Sequence, residues 1–154
     1  MEALVFRALE ETMKEFRGDP ERVYLTGLSM GGYGAWAFAY KFPERFAAVV
    51  PVCGGVSSRR GFPPPSWHPA SRNPGDPFTE TASRIRDVPV WAFHGDADPR
   101  VPVSESRELV EALQAVGGDV RYTEYPGVRH NSWDRAYAEQ DLYDWMFSQR
   151  RGSR

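Results

Sequence analysis

Val23-Tyr24-Leu25-Thr26-Gly27-Leu28-Ser29-Met30-Gly31-Gly32 is the stretch that decides how this chain is read. Val23 to Thr26 has the β-branched and aromatic content of a strand. From about Gly31 to Phe42 the chain is dense in Ala and aromatics, which reads as a well-buried helix that Pro43 ends. Between the two stands Gly-x-Ser-x-Gly, with Ser29 at its centre. In that strand–turn–helix setting the pattern is a nucleophile elbow. Small flanking residues let the chain pass closely, and the hydroxyl is left at a helix N-terminus, where the backbone dipole favours developing negative charge. The competing reading is a Gly-rich turn carrying an incidental serine.

Outward from the elbow, helices alternate with short apolar runs. Residues 2–17 read as a helix with Leu4, Ala8, Leu9, Met13 and Phe16 on one face, stopped by Gly18-Asp19-Pro20. Residues 47–53, 88–93 and 120–125 read as further strands, with Pro51 expected near the end of its strand. Ser104 is a candidate N-cap for a helix to Val116, and Asp134 opens a last helix with Tyr137, Leu142, Trp145 and Met146 on one stripe. Strands separated by helices predict an α/β fold of about four parallel strands with helices on both faces, in a single domain over 1–154. One stretch breaks the rhythm. Residues 54–77 are rich in Pro and Gly and carry Phe62, Trp67 and His68, which predicts a long functional loop.

A serine hydroxyl is a poor nucleophile without a base and an orienter for that base. His94-Gly95-Asp96-Ala97-Asp98-Pro99-Arg100-Val101-Pro102 follows the third strand, and Gly127-Val128-Arg129-His130-Asn131-Ser132-Trp133 follows the fourth. Each cluster therefore falls at the C-terminal end of a strand, on the sheet edge that carries Ser29, where open α/β sheets place their sites. The order Ser, Asp, His along the chain is the order that accompanies such an elbow. Either Asp96 or Asp98 could orient His130. His68 reads as a surface histidine and Cys53 as a small buried hydrophobe.

Residues 20–145 resemble the C-terminal half of an α/β-hydrolase, nearest the esterases related to dienelactone hydrolases, polyhydroxybutyrate depolymerases and prolyl-oligopeptidase-type peptidases. The resemblance is carried by residues 22–32, by His94-Gly95-x-x-Asp98-x-x-Val101-Pro102 and by His130-Asn131-Ser132-Trp133. It implies a serine carboxylesterase acting on small or short-acyl esters through an acyl-enzyme, without metal or organic cofactor. Ser29 would be the nucleophile, Asp98 the orienting acid, His130 the general base and the Met30 N–H an oxyanion donor. Trp67, Trp133 and Phe62 are candidates for the substrate pocket. The opposed reading is a catalytically weak or inactive hydrolase fragment serving as an assembly subunit, and a further one is a serine peptidase.

Members of that superfamily carry further strands before the helix that precedes the elbow. The chain matches none of that part, which leads to the expectation of a truncated domain with one oxyanion donor missing, a loss that typically costs about 2.7–4 kcal/mol in the transition state. The strand 23–26 would then be a sheet edge without charge, proline or bulge to protect it, and pairing with its copy across a two-fold axis would make a homo-oligomer, most simply a dimer. Composition excludes other classes. Hydrophobic residues make up 41% and charged residues 26% of 154, ordinary globular values. The net charge of −2 gives no nucleic-acid footprint, no apolar run approaches a membrane span, and the single cysteine excludes an internal disulfide. The expectation is a soluble cytoplasmic protein with a small-molecule ester as partner.

Overall fold

The computed structural model describes residues 2–57 and 76–152. Its four strands are β1 (Tyr24–Leu28), β2 (Ala48–Val52), β3 (Val90–Gly95) and β4 (Val120–Tyr125), all parallel and in the spatial order β1-β2-β3-β4. The helices are α1 (Glu2–Phe16), α2 (Met30–Lys41), α3 (Pro77–Ile85), α4 (Ser104–Ala115), α5 (Trp133–Ala136) and α6 (Gln140–Ser148). Chain order equals spatial order, and α2, α3 and α4 each carry the chain from one strand to the next, as parallel neighbours require. This is the α/β architecture the sequence predicts. Among the described residues, no helix is long and apolar enough to cross a membrane.

The period of two along each strand sorts the core into two layers. Val49, Val90 and Ala92 face a layer built with Trp36 and Ala39 of α2, Ile85 of α3 and Leu109 and Leu113 of α4. Val50, Val52, Trp91 and Phe93 face the other, built with Ala136 of α5 and Leu142 and Trp145 of α6. Both faces of β2 and β3 are therefore covered, and every residue of these two strands is buried. β1 differs. Among the described residues it pairs with β2 alone, and Thr26 and Leu28 are exposed.

Pro51 is the penultimate residue of β2, opposite Gly27, near the strand's end as expected. The N–H groups of Val49 and Cys53 both donate toward β3, to Pro89 O at 2.9 Å and Phe93 O at 2.8 Å. Position 51 lies between them on the same side and has no N–H to give, so the ladder to β3 skips one rung there. Three elements depart from expectation. α3 was not foreseen, although Asp76 accepts from the N–H of Phe78 and Thr79 and Pro77 occupies the first turn. The helix expected from Asp134 is two, α5 and α6, with Tyr137 as the C-cap of α5, while Leu142 and Trp145 keep the expected stripe. On α1, Leu9 and Met13 of the expected face are half-buried and Leu4 and Phe16 are exposed, while Phe6 turns its ring onto Phe38 and Phe42.

Candidate active site

Ser29 is the residue between β1 and α2, and its backbone is held at φ 53, ψ −117. A non-glycine residue in that region costs about 1–3 kcal/mol and persists only where the surroundings over-determine it. Here they do: Ser29 N–H donates to Val52 O at 2.9 Å, continuing the sheet, while Ser29 O accepts from Tyr33 N–H at 3.1 Å, starting the helix. The turn lifts the hydroxyl above the sheet edge. Met30, as the first residue of α2 and the neighbour of Ser29, has an N–H with no acceptor inside its own helix.

The other two groups arrive on the loops after β3 and β4. Those loops are stitched together, because Ala97 N–H donates to Val128 O at 3.1 Å and a Cβ at Gly95 would stand 2.2 Å from that same oxygen. Only glycine admits so close an approach. The result is that Ser29 Oγ lies 2.9 Å from His130 Nε2, and His130 Nδ1 lies 2.7 Å from Asp98 Oδ2. Asp98 accepts, so Nδ1 carries a proton, and the neutral ring is left with Nε2 free to accept from the serine. Asp96 takes no part in this: its Oδ1 accepts from Gly127 N–H at 2.7 Å and braces the β4 loop.

Asp98 is the most heavily supported group of the three. Burial alone would raise its carboxyl, but hydrogen bonds from His94, from His130 and from the N–H groups of Arg100 and Val101 hold it well below the usual carboxylate range. It is therefore ionised at neutral pH and able to stabilise a protonated His130. The surrounding field has the same sign. Burial, helped by the charges of Glu105 and Asp98, pushes the Tyr33 phenol up to about 12.

Glu105 was not anticipated. It is 1% exposed, in the first turn of α4, and its carboxylate accepts from Val56 N–H at 3.0 Å, from Ser57 N–H at 2.9 Å and from the Ser57 hydroxyl. It fixes the segment that leaves the end of β2 beside the site. The signal was an acid four residues before Leu109 and eight before Leu113, on the helix's apolar stripe.

Trp133 stands edge-on to the His130 ring, with centroids 5.5 Å apart, and is half-buried. Phe62, Trp67 and His68 lie outside the described residues. Cys53 is fully buried at φ 42, and burial pushes its thiol up to about 11. Cys53, Asp98 and His130 bring one ligand atom each within 4.8 Å of one another. Asp98 and His130 already spend those atoms on hydrogen bonds, and the thiol holds its proton at neutral pH.

The sequence profile of the prolyl oligopeptidase family matches residues 5–152. Acyl-protein thioesterase 1 of Gibberella zeae is 30% identical over 113 residues, covering 73% of this chain and 43% of the relative. Poly(3-hydroxyalkanoate) depolymerase C of Paucimonas lemoignei is 28% identical over 142 residues, covering 82% of this chain and 31% of the relative. The crystal structure of a thermostable esterase superposes with a TM-score of 0.78 at 39% identity, covering 97% of this chain and 36% of that one. The chain thus spans less than half the length of each of these three proteins.

Proposed function

The chain belongs to the prolyl oligopeptidase family, and from that premise we propose that it is a serine hydrolase of carboxylic esters with short acyl groups. The observation that carries the reading is the unbroken hydrogen-bond path from Ser29 through His130 to Asp98, starting at a strained elbow.

In the proposed reaction His130 Nε2 takes the Ser29 proton as Oγ attacks the carbonyl carbon. The carbonyl oxygen becomes an oxyanion, which the Met30 N–H at the positive end of α2 is placed to receive. Asp98 keeps the imidazole in the tautomer that accepts, and its charge offsets the imidazolium. As the tetrahedral carbon collapses, the alkoxide leaves with the proton returned by His130. Water then repeats the cycle on the acyl-serine and releases the acid. Trp133 lines the His130 side of the reacting atoms. Phe62 and Trp67 remain candidates for the acyl wall on composition.

Ester hydrolysis is favoured by the thioesterase, the depolymerase and the thermostable esterase among the similar proteins. The family's own description favours peptide cleavage as the second reading. Parallel assays on p-nitrophenyl acetate and on a peptide p-nitroanilide separate the two. The expected result is turnover of the ester that far exceeds turnover of the anilide, and a preference for the anilide would reverse the assignment.

The same reading includes self-association. Leu4 and Val5 on α1, Leu28 and Met30 beside the elbow, and Tyr143 and Phe147 on α6 are all exposed, and β1 has one partner strand among the described residues. Antiparallel pairing of β1 with its copy would satisfy the outward backbone groups and extend the sheet.

A further inference from the structure

His94 is 0% exposed, and its ring bridges two elements. Nε2 lies 3.1 Å from Val101 O and 3.3 Å from Asp98 Oδ2, and Nδ1 lies 2.7 Å from Ser106 Oγ in the first turn of α4. A carbonyl oxygen only accepts, so the proton sits on Nε2, shared between Val101 O and the carboxylate. In the neutral ring Nδ1 is then an acceptor, and the Ser106 hydroxyl donates to it. Asp98 Oδ2 therefore accepts from the His130 N–H and stands 3.3 Å from His94 Nε2, while Oδ1 takes Arg100 N–H at 2.8 Å and Val101 N–H at 3.0 Å.

We propose that His94, keyed by Ser106, is a positioning residue that fixes the rotation of the Asp98 carboxylate, extending the path to Ser29–His130–Asp98–His94–Ser106. This inference rests on the reading of Asp98 as the orienting acid. Backbone N–H groups pin one oxygen of the carboxylate, but one pinned oxygen leaves the group free to turn about it. The His94 N–H pins the second, on the atom His130 uses. Ser106 performs the preceding step: its hydroxyl, donating to Nδ1, holds the ring in the rotation that aims the Nε2 proton at Val101 O and Asp98 Oδ2. Other ionisable groups lie around the pair: Glu105 on α4, Tyr33 on α2, Glu124 opposite His94 on β4, and Cys53 at the end of β2. Among the described residues none of these is hydrogen-bonded to the His94 ring.

The consequence has two parts. An Asp98 carboxylate without the His94 N–H carries less-compensated charge toward His130, so the imidazolium is favoured and the low-pH limb of kcat/KM moves to higher pH. The carboxylate also loses its fixed orientation, and misplacement of that kind can lower kcat by roughly 10²-fold. A purely packing histidine would change stability and leave the limb in place.

The test pairs imidazole 15N NMR with kinetics on wild type, His94→Leu, His94→Gln and Ser106→Ala. In wild type at neutral pH the His94 ring is expected as the Nε2–H tautomer. His94→Leu is expected to lower kcat and shift the limb upward, with Ser106→Ala between it and wild type. His94→Gln places an amide N–H close to Nε2 and is expected to restore most of both. An Nδ1–H tautomer in wild type overturns the inference whatever the enzyme's activity. So does a folded Ser106→Ala or His94→Leu whose pH profile coincides with wild type. Full turnover in Ser29→Ala would instead strike the catalytic reading, and the NMR result is obtained in either case. Ser106→Ala, the smaller change, keeps the test open if His94→Leu does not fold.

Discussion

Asp96 and Asp98, two residues apart on one loop, end on different partners: Asp98 Oδ2 meets His130 Nδ1 at 2.7 Å, and Asp96 Oδ1 meets the Gly127 N–H at 2.7 Å. Asp98→Asn should leave the fold intact and let the imidazole adopt the wrong tautomer, with a loss in kcat of up to about 10⁴-fold. Asp96→Asn retains an acceptor for the Gly127 N–H and should lose far less. Steady-state kinetics on the two variants decides, and the reverse ranking would mean that the acid has been misassigned.

The same carboxyl makes stability depend on pH. Its folded value lies below its ordinary value of 3.8, so Asp98 contributes stability that is present above that value and lost as pH falls below it. Thermal melts of wild type should therefore drop on acidification from pH 5 toward 3. The drop should be shallower in Asp98→Asn, which cannot titrate there. Parallel curves for the two proteins would contradict the assignment of a depressed Asp98.

Cys53 should be chemically quiet in the folded protein. Its side chain is fully buried and burial pushes its thiol up to about 11, so the reactive thiolate is scarce at neutral pH. Native protein at pH 8 is expected to resist iodoacetamide for hours and to take one alkyl group once denatured. Rapid stoichiometric labelling of the native state, with loss of ester turnover, would give Cys53 a place in the chemistry instead.

How far the sequence reaches can be argued from these same residues. The strands were legible because each is a short apolar or β-branched run between helices, and Ser29, Asp98 and His130 because each sits where such a strand ends. What escaped depends on contacts between distant segments. The α1 face is legible at Leu9 and Met13 but not at its ends, because Leu4 and Phe16 satisfy the helical period as well as Phe6 does, and only the position of Phe38 and Phe42 selects among them. Glu105 and Ser106 look like ordinary residues of a first helical turn. Their partners, the Val56 and Ser57 N–H groups and the His94 ring, come from 12 to 49 residues away. The α3 helix had a capping signal in Asp76-Pro77, but it directly follows a long stretch without any period.

Self-association is tested at the free side of β1. Leu28 is exposed there, at 39%, and belongs to neither core layer, so Leu28→Lys adds charge to the edge without entering the core. Sedimentation should give a dimer mass for wild type and a monomer mass for Leu28→Lys with an unchanged circular dichroism spectrum. A fully active wild-type monomer at nanomolar concentration would sink the proposed pairing.

The central claim is that Ser29 is an activated nucleophile, and intact-protein mass spectrometry after treatment with a fluorophosphonate tests it most directly. The reagent should add once to wild type, with the adduct on the peptide containing Ser29, and hydrolysis of p-nitrophenyl acetate should fall in step with labelling. Ser29→Ala should take no label and show no turnover, while keeping the wild-type melting profile. Ester hydrolysis that persists in Ser29→Ala, or in wild type with Ser29 unmodified by excess reagent, would contradict the account.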